Sequence, residues 1–162
     1  MSKELQFLEE VLGKPIMNME QDQECAAYCG YNFWFDSYQI KYRKAKITPK
    51  KTGCFVALWK RNTKGKTVPF QASDNFDFYL IEVEENENKG IFVFPKEYLI
   101  KHKIISADTE GKRGFRLYPS WNIVENKQAL KTQLWQLTYF INLNNTQNNI
   151  QNQIANIFDL HP

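Results

Sequence analysis

The sequence predicts an α+β fold, with a mixed, mainly antiparallel central sheet flanked by helices. Three observations carry that expectation. Strand-like segments separated by short polar turns fill the middle of the chain. Helix-spaced apolar residues occupy both flanks. The 162 residues, 43% apolar and 15% aromatic, suffice for a packed core without disulfide staples. Residues 1–162 read as one domain, with an N-terminal helical segment over 1–15 and an Asn/Gln-rich extension over 143–162.

Each element follows from local chemistry. Ser2 can cap a first helix in which Leu5, Leu8, Val11 and Leu12 share one face, and Gly13 and Pro15 stop it. A second helix is expected from about Ile16 to Cys29, ended by Gly30. Tyr31 to Phe35 reads as an apolar-aromatic connector. Strands are expected over Tyr38–Thr48 and Gly53–Arg61, turning at Pro49-Lys50-Lys51-Thr52. Another hairpin joins Phe76–Glu84 to Gly90–Lys96 through Glu85-Asn86-Glu87-Asn88-Lys89. A short helix over Lys96–Lys103 and a strand over Gly114–Tyr118 follow. The last strong element is a helix from Asn126 to about Asn142, with Leu130, Leu134, Leu137 and Ile141 on its apolar face. Beyond it the Asn/Gln-rich segment reads as a solvated helical extension or frayed tail.

Composition narrows the function classes. Cys25, Cys29 and Cys54 fit no disulfide framework, which points to a reducing, cytoplasmic setting and to buried thiols. His102 and His161 have no partner at ligand spacing, so no metal site is expected. The N-terminus has no signal-peptide pattern, and no stretch is apolar enough for a membrane span. Neither a GxxxxGK[ST] nor a GxGxxG motif is present, and no cofactor is expected.

The distribution of charge is more informative than its net value of +3. Lys41, Arg43, Lys44, Lys46, Lys50, Lys51, Lys60, Arg61, Lys64 and Lys66 are ten of the 21 basic residues, and no Asp or Glu lies between Asp36 and Asp74. Aromatic residues are interleaved with them. A turn between Lys50 and Lys51 sets Tyr42 opposite Trp59, Lys44 opposite Ala57 and Lys46 opposite Phe55. One face then presents Tyr42, Lys44, Lys46, Phe55, Trp59 and Arg61. Cations for phosphates and flat rings for bases are what a single-stranded nucleic acid asks for. In the competing arrangement the rings are core and the lysines extend past them. A second cluster, Lys112-Arg113-Gly114-Phe115-Arg116, adds charge, and Gly111 and Gly114 can allow close approach of a ligand.

Several motifs resemble the MepB family. They are Lys46-Ile47-Thr48-Pro49-Lys50-Lys51-Thr52-Gly53-Cys54-Phe55-Val56-Ala57-Leu58-Trp59-Lys60-Arg61, Phe92-Val93-Phe94-Pro95-Lys96 and Gly111 through Pro119. The segment from Asn126 through Trp135-Gln136 and Tyr139-Phe140 resembles it too. The resemblance runs from about Glu24 to Phe140. It implies a restriction-endonuclease-like fold, similar to PD-(D/E)xK nucleases, and a nucleic-acid partner.

Such nucleases hold a divalent metal with a strand Asp, an (Asp/Glu)-x-Lys on the next strand and often a helical Glu. With a turn near Asn86, Asp77 falls opposite Lys96 and Tyr79 opposite Phe94. Phe94 thus stands where the second carboxylate belongs, and a phenyl ring cannot ligate Mg²⁺. Glu82 and Glu84 alternate onto the other face, while Asp74 precedes the strand. Glu24, Asp77 and Lys96 are therefore vestigial catalytic candidates in a degenerate site. The expected function is non-catalytic binding of single-stranded DNA or RNA in preference to duplex, with no membrane partner. The expected contacts are Tyr42, Lys44, Lys46, Lys50, Lys51, Phe55, Trp59, Lys60, Arg61, Lys112, Arg113 and Arg116. The alternatives are an active Mg²⁺- or Mn²⁺-dependent nuclease with migrated ligands, and a protein-interaction module anchored by Trp59, Trp121 and Trp135.

Overall fold

The computed structural model describes residues 3–22 and 30–159. It opens with α1 (Lys3–Leu12), which buries Leu8, Val11 and Leu12. Gly13 ends it at φ 73°, donating its N–H to Glu9 O at 2.9 Å. The next segment is a strand, β1 (Ile16–Gln21), and not the start of the helix expected over Ile16–Cys29. Its partner is β2 (Tyr31–Phe35), the stretch that reads as a connector in sequence. Alternation explains the difference: Phe33 and Phe35 are buried while Asn32 and Trp34 are half-buried, so Tyr31–Phe35 has a strand's two faces. β1 is exposed along most of its length, and its antiparallel pairing with β2 holds it. The rest of that expected helix, with Glu24, Cys25 and Cys29, lies outside the described residues, as do Ser2 and His161.

The chain continues through β3 (Tyr38–Lys44), β4 (Lys46–Ile47), β5 (Cys54–Ala57), β6 (Trp59–Arg61) and β7 (Thr67–Pro69). The long hairpin β8 (Phe78–Glu85) and β9 (Asn88–Pro95) leads into α2 (Lys96–Lys101). β10 (Gly114–Leu117), α3 (Lys127–Gln136), a 3₁₀ turn (Leu137–Tyr139), β11 (Phe140–Asn142) and α4 (Gln147–Phe158) complete it. The central sheet has strand order β1-β2-β3-β8-β9-β11, with β3–β8 its one parallel pair. A three-stranded sheet, β10-β5-β4, and a two-stranded ribbon, β6-β7, are separate from it. This is the mixed, mainly antiparallel α+β arrangement the sequence predicts.

Both faces of the central sheet are buried. On one, Leu8, Val11 and Leu12 of α1 and Ile150, Ile154 and Phe158 of α4 cover Phe33, Phe35, Ile40, Phe78, Leu80, Ile91 and Val93. The Asn/Gln-rich segment is therefore no frayed tail: every third or fourth residue of α4 is a large apolar one, and the amides face water. The Phe158 ring lies 4.5 Å from that of Phe78 and 4.9 Å from that of Phe35. On the other face, Tyr79, Ile81, Phe92 and Phe94 pack against Cys54, Val56, Leu58, Phe115 and Leu117 of the smaller sheets. The Tyr79 hydroxyl donates to Ala57 O at 2.7 Å and ties the two layers together.

The helix expected over Asn126–Asn142 is shorter, and its faces are exchanged. Asn126 caps α3, its Oδ1 accepting from Ala129 N at 2.8 Å. Leu130 and Leu134 face outward, Leu134 being 64% exposed, whereas Gln133 and Gln136 are buried. Gln136 accepts from Tyr118 N at 2.9 Å and donates to Arg116 O at 2.8 Å, and Gln133 donates to Pro119 O and Asn122 O, each at 3.0 Å. These amides satisfy the backbone of β10 and the loop after it. Leucine cannot do that, so the glutamines take the inner face.

Candidate nucleic-acid interface

The β4–β5 register is the one expected, with Lys46 opposite Phe55 and Ile47 opposite Cys54. On the other side of β5, β10 sets Arg116 opposite Phe55. Lys46, Phe55 and Arg116 therefore form one row across three strands, on the face away from the core. The two basic clusters, remote in sequence, meet here. Lys50 and Lys51 are exposed in the turn that joins β4 to β5, Lys50 at φ 74°. The turn needs Gly53, at φ 89°: a Cβ there would come within 2.5 Å of Leu117 O and 2.9 Å of Tyr118 Cδ1. Arg116 braces it from below, donating to Thr48 Oγ1 at 2.9 Å and Thr52 O at 3.1 Å.

Three expected contacts lie elsewhere. Ala45 breaks the strand, donating its N–H to Glu82 O at 2.9 Å, and the chain changes sheet there. Tyr42 consequently lies between Tyr31 and Leu80 in the central sheet, not opposite Trp59. It is buried, and its hydroxyl donates to the buried Glu82 carboxylate. Lys44 lies opposite Glu82 instead of Ala57 and meets Glu84 at 3.5 Å. Lys60 reaches Asp74 at 2.6 Å. The neighbouring Arg43 is wholly buried, 2.5 Å from Asp22.

Trp59 and Arg61 of β6 and Arg113, just before β10, gather around β7. Trp59 is half-buried and pairs with Pro69, and the Arg61 guanidinium lies 5.3 Å from its ring centre. Arg113 accepts from Leu58 N and donates from Nε to Thr67 O, each at 2.9 Å. Both glycines sit tightly against the protein: a Cβ on Gly114 would strike the Phe55 ring, and one on Gly111 the backbone of Ile104.

A groove that the sequence did not announce runs between this sheet and α3. One part, of about 510 Å³, is lined by Lys51, Arg116, Tyr118, Ile123, Val124 and Ala129 among others. A second part, of about 340 Å³, shares Arg116, Tyr118 and Ala129 and continues to Lys112, His102 and Trp135. The His102 and Trp135 rings stack at 4.1 Å, and burial, with Lys101 next, holds the imidazole below its ordinary value. The walls come from three distant segments, so no local pattern marks them. Cys54, beneath the sheet, is pushed up to about 12, mainly by burial, and is an inert thiol.

The Asp77–Lys96 hairpin has the expected register: Tyr79 pairs with Phe94, and Lys96 donates its N–H to Asp77 O at 2.9 Å. Asp77 Oδ2 accepts from Gln39 N at 2.8 Å. Lys96 Nζ donates to Asp74 O and stands 5.2 Å from the Phe76 ring centre. These groups border a cavity of about 170 Å³. Asp74, which precedes the strand, holds Lys60 and accepts from Gln71 N at 2.7 Å. Phe94 is fully buried between Phe92, Tyr98, Phe115 and Trp135. Among the described residues no three of His, Cys, Asp or Glu gather as a metal site. Glu24 lies outside those residues. No described helix is long and apolar enough to cross a membrane.

Fold and surface together define an α+β protein whose basic, ring-bearing outer sheet is braced by a helix. A family model described as MepB-like matches residues 22–142, and the chain belongs to that family. The crystal structure of MepB is similar to it at 31% identity, with a TM-score of 0.80, covering 90% of this chain and 100% of that one. A bacterial homing endonuclease is similar at 16% identity and a TM-score of 0.40, over 77% of this chain and 74% of that one. No curated protein matches the chain.

Proposed function

We propose that this chain binds nucleic acid on a nuclease-like scaffold without cutting it, taking single strands of DNA or RNA in preference to duplex. The observation that carries this reading is the row Lys46–Phe55–Arg116, with Lys50 and Lys51 exposed in the adjoining β4–β5 turn. Cations on the strands flanking Phe55 can hold phosphates while a base stacks on its ring. Paired bases hide their faces, so the ring gains little from duplex. Trp59, Arg61, Lys112 and Arg113 extend the surface; Tyr42, Lys44 and Lys60 do not belong to it. Phe94, packed among rings where a ligand would be needed, favours binding without cleavage. Trp121 bonds Glu85 and packs on Phe140, and Trp135 stacks within its own fold, which leaves a tryptophan-anchored protein interface with Trp59 alone. The reading sets the protein in the cytoplasm, where a free thiol such as Cys54 persists. The test is a titration against single- and double-stranded DNA and RNA over a range of salt, with and without Mg²⁺. Tighter single-strand binding that weakens with salt is expected; equal affinity for both, or a flat salt response, would overturn the proposal.

A further inference from the structure

The groove between the β4–β5 turn and the start of α3 has features that binding to the flat sheet does not use. Its larger part, about 510 Å³, falls within the ~300–1,000 Å³ typical of small-molecule sites. Lys51 and Arg116 border it on the sheet side. Tyr118 presents a half-buried ring, held in place where its edge meets Gly53 and its backbone N–H meets Gln136. Ile123 also lines the groove, the most exposed of the large hydrophobic side chains described, at 85%. An isoleucine standing in water beside two cations adds nothing to the core. Apolar side chains in that setting enter between base steps and unstack them.

We propose that this groove receives one unpaired nucleobase turned out of the bound strand. The base lies on Tyr118, its flanking phosphates rest on Lys51 and Arg116, and Ile123 fills the gap left in the stack. The proposal rests on the nucleic-acid reading above. It adds a second reason for single-strand preference: a paired base has to be unpaired before it can enter. Glu125, on the groove wall, can accept from an amino group on the base edge.

The test uses the full chain and a short single-stranded DNA carrying one 2-aminopurine, whose emission reports stacking. Binding should quench the emission. Ala129→Trp, which places an indole in the groove from a half-buried helix position, should weaken binding about tenfold and abolish the quenching. Ile123→Ser should reduce the quenching with the melting temperature unchanged, which guards against misfolding of the bulkier variant. Lys46→Ala should weaken binding yet leave the quenching at saturation intact. If the chain binds the strand with its expected salt response, but neither Ala129→Trp nor Ile123→Ser alters affinity or quenching, the groove proposal alone falls. If the unaltered chain binds no single strand, both readings fall.

Discussion

Lys46 and Arg116 are the cross-strand neighbours of Phe55 on its two flanking strands, although one precedes it and the other follows much later in the chain. The pairing turns two modest runs of charge into one surface. Lys50 and Lys51, exposed in the turn, differ from Lys44 and Lys60, which meet carboxylates. Lys50→Ala with Lys51→Ala should weaken single-strand binding equally for all sequences and make the slope of log K against log salt shallower by about 1.4, or ~0.7 per lost phosphate contact. Lys44→Ala and Lys60→Ala should change the slope little, since Glu84 and Asp74 hold those ammonium groups. Salt titrations of the variants check this. Equal effects from the two sets would mean that charge acts without regard to position.

Trp59 separates stacking from packing. Its ring is half-buried beneath Arg61, not wholly in the core. Trp59→Ala should cost ~1–3 kcal/mol of binding on single strands and much less on duplex. Its melting temperature should fall less than that of a variant truncating the fully buried Phe92. Affinity and melting are measured on the same preparation.

Asp77 gives the catalytic prediction. Its carboxylate accepts from Gln39 N, and on the proposed reading Phe94 stands where a second carboxylate would be needed. Asp77→Ala should leave single-strand affinity unchanged or raised, with no Mg²⁺- or Mn²⁺-dependent cleavage before or after the change. The lost hydrogen bond should lower stability by ~0.5–1.5 kcal/mol. Metal-dependent cleavage that disappears in this variant would establish a live site.

His102 supplies a pH dependence. Its folded value lies below the ordinary 6.5, chiefly through burial and then through Lys101. The unfolded chain therefore takes up the proton at higher pH than the folded one. The neutral ring's contribution is intact above about 6.5, and is lost as pH falls through that value toward the folded one. His102→Phe retains a ring on Trp135 and removes the titration. The melting difference between the two proteins should shift in favour of the variant as pH drops. A constant difference would show that the imidazole titrates alike in both states.

What was legible depended on distance along the chain. Both hairpin registers, Lys46 with Phe55 and Tyr79 with Phe94, followed from placing a turn and counting outward. Tyr42 with Trp59 failed under the same count, because Ala45 moves the strand from one sheet to another and periodicity carries no mark of that step. Ile16–Gln21 looked helical because a strand that buries little leaves no alternation to see. In α3 the leucines set the expected face, but backbone groups of Arg116, Tyr118 and Pro119 needed amides, and only the tertiary arrangement reveals that need. The basic row was half legible: Lys46 and Phe55 are close in sequence, whereas Arg116 joins them through a strand pairing that no turn specifies.

The parallel neighbours β3 and β8 bear on how the protein reaches its working form. Parallel strands cannot be joined by a tight turn, and the connection between this pair contains β4, β5, β6 and β7. β10, with Arg116, enters only after β9 and α2. The β8–β9 hairpin is a local contact, while closing β10 onto β5 carries the entropy of a long loop. On the proposed reading, capture of a strand would thus be a property of the finished chain: a partly synthesised copy has Lys46 and Phe55 but not Arg116.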